Sequence, residues 1–321
     1  MNGHVPVMLD AAMRSLAPEG RGGVFVDATV GGGGQTEEIL KRASPQARVI
    51  GFDLDATALE RVRQRLAEDI ESGRLVLVHG DFKSMVETLD GMGIEKLSGV
   101  TADLGVSSFQ LDEAERGFSF RLDGPLDMRM DASNAGPDAA ELLNSLPERE
   151  LEKIFREFGE ERYARAIARR IVAERARRPF ETTRQLAEML ASMTPVHKRQ
   201  SGLHPATRTF QALRIAVNRE LEGLAEWIDE AVRCLEPGAR IVVIAFHSLE
   251  DRIVKHTLRR LENPCICPPR LPVCQCGRKP MLRFLHRKAV TSSSAETAAN
   301  PRSRSAHLRA AERLPEGRMA A

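Results

Sequence analysis

Cysteine is scarce in this 321-residue chain. There are five in all, too few for a disulfide framework at this length, and the expected home is the reducing cytoplasm. Long hydrophobic runs are missing too. The run Ile241 to Phe246 is far shorter than the roughly 20 apolar residues that cross a bilayer, so no membrane partner is expected. Met1 to Leu9 lacks a basic start followed by an apolar core, and no secretory signal is expected. Internal repeats are absent as well.

What the chain does contain is ordinary globular material: 42% hydrophobic and 29% charged residues, which excludes a disordered or fibrous protein. Its length exceeds what one hydrophobic core usually organises, so two domains or one domain with a large insertion are expected. The net charge of +2 hides a strong partition. Residues 149–219 carry 16 Lys and Arg against 8 Asp and Glu, and residues 252–321 carry 15 against 4. The remainder is acidic, 16 against 33. An acidic body with two basic segments suits contact with a polyanion, nucleic acid first, although Arg-rich helices can also be simply solvated.

Four short runs in the first hundred residues have the length and β-branched content of buried strands: Gly23–Asp27, Arg48–Phe52, Arg74–Val78 and Leu97–Ala102. Helical spacing at Thr36–Ala43 and Ala56–Ile70 separates them, which predicts βαβ crossovers and a parallel sheet covered on both faces. Ala239–Phe246 reads as a further core strand. A helix from about Ala206 to Leu235 precedes it, ended by Pro237-Gly238. Between these parts the pattern predicts helices at Ala139–Ser145, Glu148–Phe158, Glu161–Arg178 and Thr183–Met193, the last capped by Thr182. After Glu262 the chain reads as irregular, with a short helix around Ser305–Arg313.

The loop after the first strand holds four successive glycines, Gly31 to Gly34. Such a loop lets backbone approach a ligand and leads into a helix N-terminus with free N–H groups; a purely structural turn is the alternative. Asp53 ends the second strand 22 residues past Gly31, where an acidic side chain accepts the ribose hydroxyls of an adenosine cofactor. Thr36 stands where a dinucleotide fingerprint has its third glycine. Asp27 would face a cationic group better than a pyrophosphate, and the loop has no Lys, which excludes an ATPase P-loop. These features favour S-adenosyl-L-methionine. Phe82, after the third strand, frames an adenine or fills core.

Residues 103–110, 112–120, 123–131, 204–211, 246–252 and 300–305 form six ordered blocks that closely resemble the bacterial RsmH (MraW) family. That family methylates N4 of a cytidine in the decoding centre of 16S ribosomal RNA. The likeness runs from about His4 to Arg313. It implies an α/β class I S-adenosylmethionine-dependent methyltransferase, a Rossmann-like parallel sheet with an inserted all-helical domain. The division expected is 1–135 and 206–321 for the methyltransferase, the latter with a basic irregular tail. Residues 136–205 are expected to be the helical, RNA-recognising insertion. The resemblance places the cofactor on Gly33, Gly34, Gln35, Asp53, Phe82, Asp103 and Gln110, with Gln35 standing where relatives usually have His. Asp103 is the candidate catalytic residue. His204, Arg208, His247, Ser248, Asp251 and Arg252 are expected on the substrate side, and Phe109, Phe118 and Phe120 either form a stacking wall or fill core. The implied partner is 16S rRNA within the small ribosomal subunit.

Two rivals remain at this level. A DNA amino-methyltransferase would carry an Asp/Asn-Pro-Pro-aromatic motif, which the chain lacks. A nucleotide-sensing or RNA-binding module without catalysis would tolerate Gln35. Cys265-Ile-Cys267 and Cys274-Gln-Cys276 suit tetrahedral zinc by ligand type, but CxC is tighter than the usual CxxC spacing. A reduced, packed loop serves equally, and no metal is assigned.

Overall fold

A computed structural model describes residues 6–133, 136–193, 204–268 and 274–315. Met1 to Val5, with the His4 at which the family likeness begins, Asn134 and Ala135 at the expected domain boundary, and residues 316–321 lie outside them. The chain divides into two compact units, residues 1–105 with 221–321 and residues 106–220.

The first half of the first unit runs α1 (Leu9–Leu16), β1 (Val24–Asp27), α2 (Gly34–Arg42), β2 (Arg48–Asp53), α3 (Ala56–Arg65), α4 (Ala67–Glu71), β3 (Leu75–His79), α5 (Met85–Gly91) and β4 (Leu97–Asp103). The second unit contains α6 (Ser108–Asp112), α7 (Ala139–Ser145), α8 (Glu148–Glu157), α9 (Ala164–Arg175), α10 (Thr183–Met193) and α11 (Thr207–Asn218). The chain then returns through α12 (Leu224–Cys234), β5 (Leu235–Ala245), α13 (Ser248–Glu262), β6 (Leu282–Phe284), β7 (Val290–Thr291), α14 (Ser294–Ala299) and β8 (His307–Arg313).

Strand order is β3-β2-β1-β4-β5-β8-β6, with β7 also on β8. The first five strands pair in parallel and β8 runs antiparallel to β5, β6 and β7. This is a doubly wound, Rossmann-like sheet. Its strands are buried on both sides, and alternate residues serve different cores. Val26, Ile50, Val100, Ile241 and Val243 meet α5, α12 and α13 on one face. Phe25, Val49, Val242 and Ile244 meet α1, α2 and α3 on the other. No described helix is long and apolar enough to cross a membrane.

The tail departs from expectation. Residues 307–313 form strand β8 rather than a helix, because Leu308 and Ala310 face one core and Ala311 the other. Helix-favouring Ala, Leu and Arg are overruled by a slot in the sheet that needs a strand. β6, β7 and α14 likewise replace an irregular stretch. The predicted helix over 206–235 is two helices, broken where Arg219 and Gly223 adopt left-handed backbone. Pro237-Gly238 does not end a helix; it lies inside β5. There the register against β4 shifts between Leu97 and Gly99, and Gly238 has φ of 83°. Proline without an N–H and glycine at positive φ make a bulge that a long strand tolerates.

The unit boundaries also differ from 135/136 and 205/206. Phe118, Leu126 and Met128 belong to the helical core with Leu143, Phe155, Ile171, Phe180 and Leu213. Asn218 at the end of α11 donates to Met128 O (2.7 Å) and accepts from Met130 N (2.7 Å). Residues 106–133 and α11 therefore fold with the insertion. Helices α7 and α10 keep the bounds read from sequence, and Thr182 Oγ1 accepts from Gln185 N at 3.3 Å.

Trp227 on α12 is 1% exposed and meets Phe82 edge-on at 4.8 Å, and its Nε1 has no hydrogen-bond partner among the described residues. Trp227→Ala is expected to cost about 3–5 kcal/mol in urea unfolding. Trp227→Phe, which keeps one aromatic ring and removes the unbonded donor but leaves a small cavity, is expected to cost clearly less than Trp227→Ala.

Candidate methyl-donor site

In an open parallel sheet a ligand binds beyond the carboxyl ends of the strands, where the order reverses. Here the reversal lies between β1 and β4. Asp27, Asp53 and Asp103 end β1, β2 and β4, three adjacent strands. The register sets Asp27 level with Gly51 and Thr101, so Asp53 and Asp103 reach two residues further on either side.

Each carboxylate is held differently. Asp27 accepts from Thr36 Oγ1 at 2.6 Å and from Thr29 N at 3.2 Å. Asp53 accepts from Gly31 N at 2.6 Å and from Asp55 N at 2.8 Å. The Asp103 backbone N–H donates to Thr29 Oγ1 at 2.6 Å, while its side-chain Oδ1 is buried without a partner. Burial pushes Asp27 and Asp53 up to about 6. Asp103 is pushed well above the carboxylate range, first by burial and then by Asp27 and Glu250. No Lys or Arg among the described residues forms an ion pair with any of the three. The site is a desolvated anionic bowl with spare acceptor capacity.

The glycines serve this site indirectly. Gly33 has φ of 76°, and a Cβ there would lie 2.8 Å from Val62 Cγ2 and from Arg65 Nη2. A Cβ on Gly34 would lie 2.1 Å from Pro6 Cγ. Both are required by the chain's own packing. The turn that they permit aims Gly31 N at Asp53. Thr36, in place of a third fingerprint glycine, supplies the hydroxyl that orients Asp27.

Gln35 is buried, its Oε1 accepting from Thr101 Oγ1 and its Nε2 left without a partner. Phe82 is half-buried on Trp227. His247 caps α13, accepting from Glu250 N at 3.4 Å while Glu250 accepts from Phe246 N at 2.9 Å. Ser248 opens the same helix. Asp251 is bidentate to Arg309 of β8, at 2.6 and 2.9 Å, and Arg252 is exposed. His247 and Asp251 thus anchor α13, which weighs against an open role toward substrate. Glu250, buried and missed by sequence reading, was signalled only by its capping spacing from His247.

The remaining candidates lie in the helical unit. Gln110 closes a capping box with Ser107, whose backbone N donates to Gln110 Oε1 at 2.9 Å. His204 stacks on Phe120 at 4.5 Å and accepts from Ala206 N at 3.2 Å. Arg208 donates to Glu160 O at 3.2 Å. Phe118 is core, and Phe120 packs against that core and on Phe210. On α9 and around it Arg162, Arg165, Arg177 and Arg178 are exposed without ion pairs among the described residues, and Tyr163 is exposed beside them.

The family model described as MraW methylase family matches residues 1–314. The chain belongs to that family. A relative from Symbiobacterium thermophilum is 50% identical over 314 residues, covering 98% of both chains. One from Syntrophotalea carbinolica is 52% identical over 311 residues, covering 97% of this chain and 98% of its own. Both relatives are named ribosomal RNA small subunit methyltransferase H. A solved rRNA methylase from Streptococcus thermophilus superposes with a TM-score of 0.43 at 12% identity, covering 98% of this chain and all of its own, too distant a likeness to carry weight. S-adenosyl-L-methionine is the cofactor of this methylase. The residues fit it, because a cationic amino-acid cofactor suits a bowl of buried carboxyls that no described Lys or Arg neutralises.

The folded ligand-free protein holds protons on these carboxylates that the unfolded chain releases near pH 4. Its stability is therefore expected to fall as pH rises through about 6. Asp103→Asn is expected to raise the thermal midpoint of the ligand-free protein at pH 7.5 and to leave it unchanged below pH 4. The same substitution is expected to lower turnover at saturating cofactor by about 10²–10⁴-fold.

Proposed function

We propose that this MraW-family methylase transfers a methyl group to N4 of a cytidine in the decoding centre of 16S rRNA, acting in the cytoplasm on the small ribosomal subunit. The reading is carried by the anionic bowl at the switch point in a chain whose relatives, matched end to end, are named for the small-subunit rRNA. When bound, the cofactor supplies a methyl group already made electrophilic by its sulfonium.

The protein's task is placement. Effective molarities of about 10⁵–10⁸ M correspond to roughly 7–11 kcal/mol of barrier. Asp53 would accept the ribose hydroxyls, and Asp27, oriented by Thr36, would face the ammonium. Cytosine N4 is a poor nucleophile because its lone pair is delocalised into the ring. Acceptors for its N–H groups draw that nitrogen toward tetrahedral geometry. Asp103 Oδ1, buried and unbonded, is one such acceptor, and the Leu104 carbonyl is a second. A carboxylate with a raised pKa is also suited to taking the proton that the methylated amine must lose.

A cytidine in folded RNA has to leave its stack to be methylated. The exposed arginines around α9, with Tyr163, suit a phosphate backbone with an unstacked base, and the helical unit is assigned to RNA recognition. Gln35, tied to Thr101, is a structural support of the bowl in this reading.

The test is methyl transfer from labelled S-adenosyl-L-methionine to small subunits from a strain lacking this protein. N4-methylcytidine at a single decoding-centre position is the expected product. Incorporation is expected to drop at least about tenfold between 50 and 200 mM salt. Cofactor binding without incorporation would favour the non-catalytic RNA-binding module instead.

A further inference from the structure

The two CxC pairs converge. Cys274 Sγ lies 3.6 Å from Cys265 Sγ, 3.8 Å from Cys267 Sγ and 3.4 Å from Cys276 Sγ. All four sulfurs lie within 4.8 Å of one another. None is at the ~2.05 Å of a disulfide, and all four cysteines are free. Metal–sulfur bonds of about 2.3 Å in a tetrahedron put neighbouring sulfurs about 3.8 Å apart, close to the three separations from Cys274. The tight CxC spacing is no obstacle, because the pairs sit on facing arms of one loop. The Gln275 N–H on one arm donates to Cys267 Sγ on the other at 3.3 Å, the second-sphere contact that steadies a thiolate ligand.

Backbone N–H groups of Ile266 and Arg278 also reach Cys276, and that of Cys276 reaches Cys274, so the loop's internal contacts centre on the sulfurs. The loop leaves at the end of α13 and returns at β6, with Met281 N donating to Leu261 O (3.0 Å) and Phe284 N to Glu262 Oε1 (2.9 Å). Between these ties no described residue of 263–281 is buried, and Ile266 is 66% exposed. A loop this long whose described residues have neither secondary structure nor core is uncommon, and small elements without a core are typically held by a covalent or metal staple.

We propose that Cys265, Cys267, Cys274 and Cys276 form a mononuclear tetrathiolate site for Zn²⁺ that staples the loop between α13 and β6. Four soft thiolates in tetrahedral array select zinc or iron over harder divalent ions. A closed set of four protein ligands leaves no open position, so the site is structural rather than catalytic. Loading converts four thiols to thiolates and releases four protons to solvent, leaving a centre of charge −2. Arg278 and Lys279, exposed in the same loop, offset it.

The test uses the full chain, purified without a histidine tag under reducing conditions. Elemental analysis is expected to find one zinc per chain, released by a thiol-binding mercurial. Chelator-stripped protein titrated with Co²⁺ is expected to develop the visible bands of a tetrahedral tetrathiolate centre, saturating at one equivalent. Cys274→Ser with Cys276→Ser is expected to abolish both signals while circular dichroism stays native. Four thiols reacting freely in native protein, with no zinc and no such cobalt spectrum, would overturn the site. So would full zinc retention in the double variant, and an iron tetrathiolate spectrum would overturn the assignment to zinc.

Discussion

Three carboxylates taken out of water at the ends of adjacent strands are the constraint around which the first unit is built. An ionised carboxylate in a dry site is costly unless paired, and no Lys or Arg among the described residues pairs with Asp27, Asp53 or Asp103. The surrounding structure supplies partial relief instead. Gly31 N and Asp55 N serve Asp53, and Thr36 and Thr29 serve Asp27, while Asp103 keeps one oxygen bare. The glycine turn, the threonine hydroxyls and the strand register exist in the arrangement that holds these groups still. A fold that spends stability to keep anions desolvated is preorganised for a cation.

The second unit solves a different problem. Its core is a cluster of Leu, Phe and Ile side chains drawn from segments far apart in sequence. Polar clamps such as Arg175 on Leu143 O and Leu146 O (2.6 and 2.7 Å) close it. Asn144 and Phe180 exchange bonds of 2.8 and 2.9 Å in the same way. Positive charge is left on its surface. The charge partition does not follow the two units: the basic run 149–219 folds with the acidic residues 106–148, and the second basic run, 252–321, belongs to the first unit.

Legibility followed the strength of local signals. β1, β2 and β4 and the helices with caps and proline breaks were readable because their periods are unambiguous. β8 was not, since Ala310 and Ala311 carry helix propensity and only the sheet makes them a strand. The extent of the insertion was hidden because residues 106–133 have little regular structure, and Asn218 joins them to α11 only in three dimensions. Within the site, the spacing of Asp53 from Gly31 and the place of Asp103 were legible. Glu250 and Thr101 were not, because each acts across a sequence gap, Glu250 on Asp103 and Thr101 on Gln35.

The position of β8 has a consequence for synthesis. This strand lies inside the sheet, between β5 and β6, yet it is made after every other strand of that sheet. A nascent chain stalled anywhere before His307 exposes the open edge of β5 and the bare faces that Leu308 and Ala311 would cover. Such an edge invites pairing with other chains. Synthesis of β8 therefore closes the sheet, and a chain that stops before it keeps an open edge where the folded protein has an interior strand.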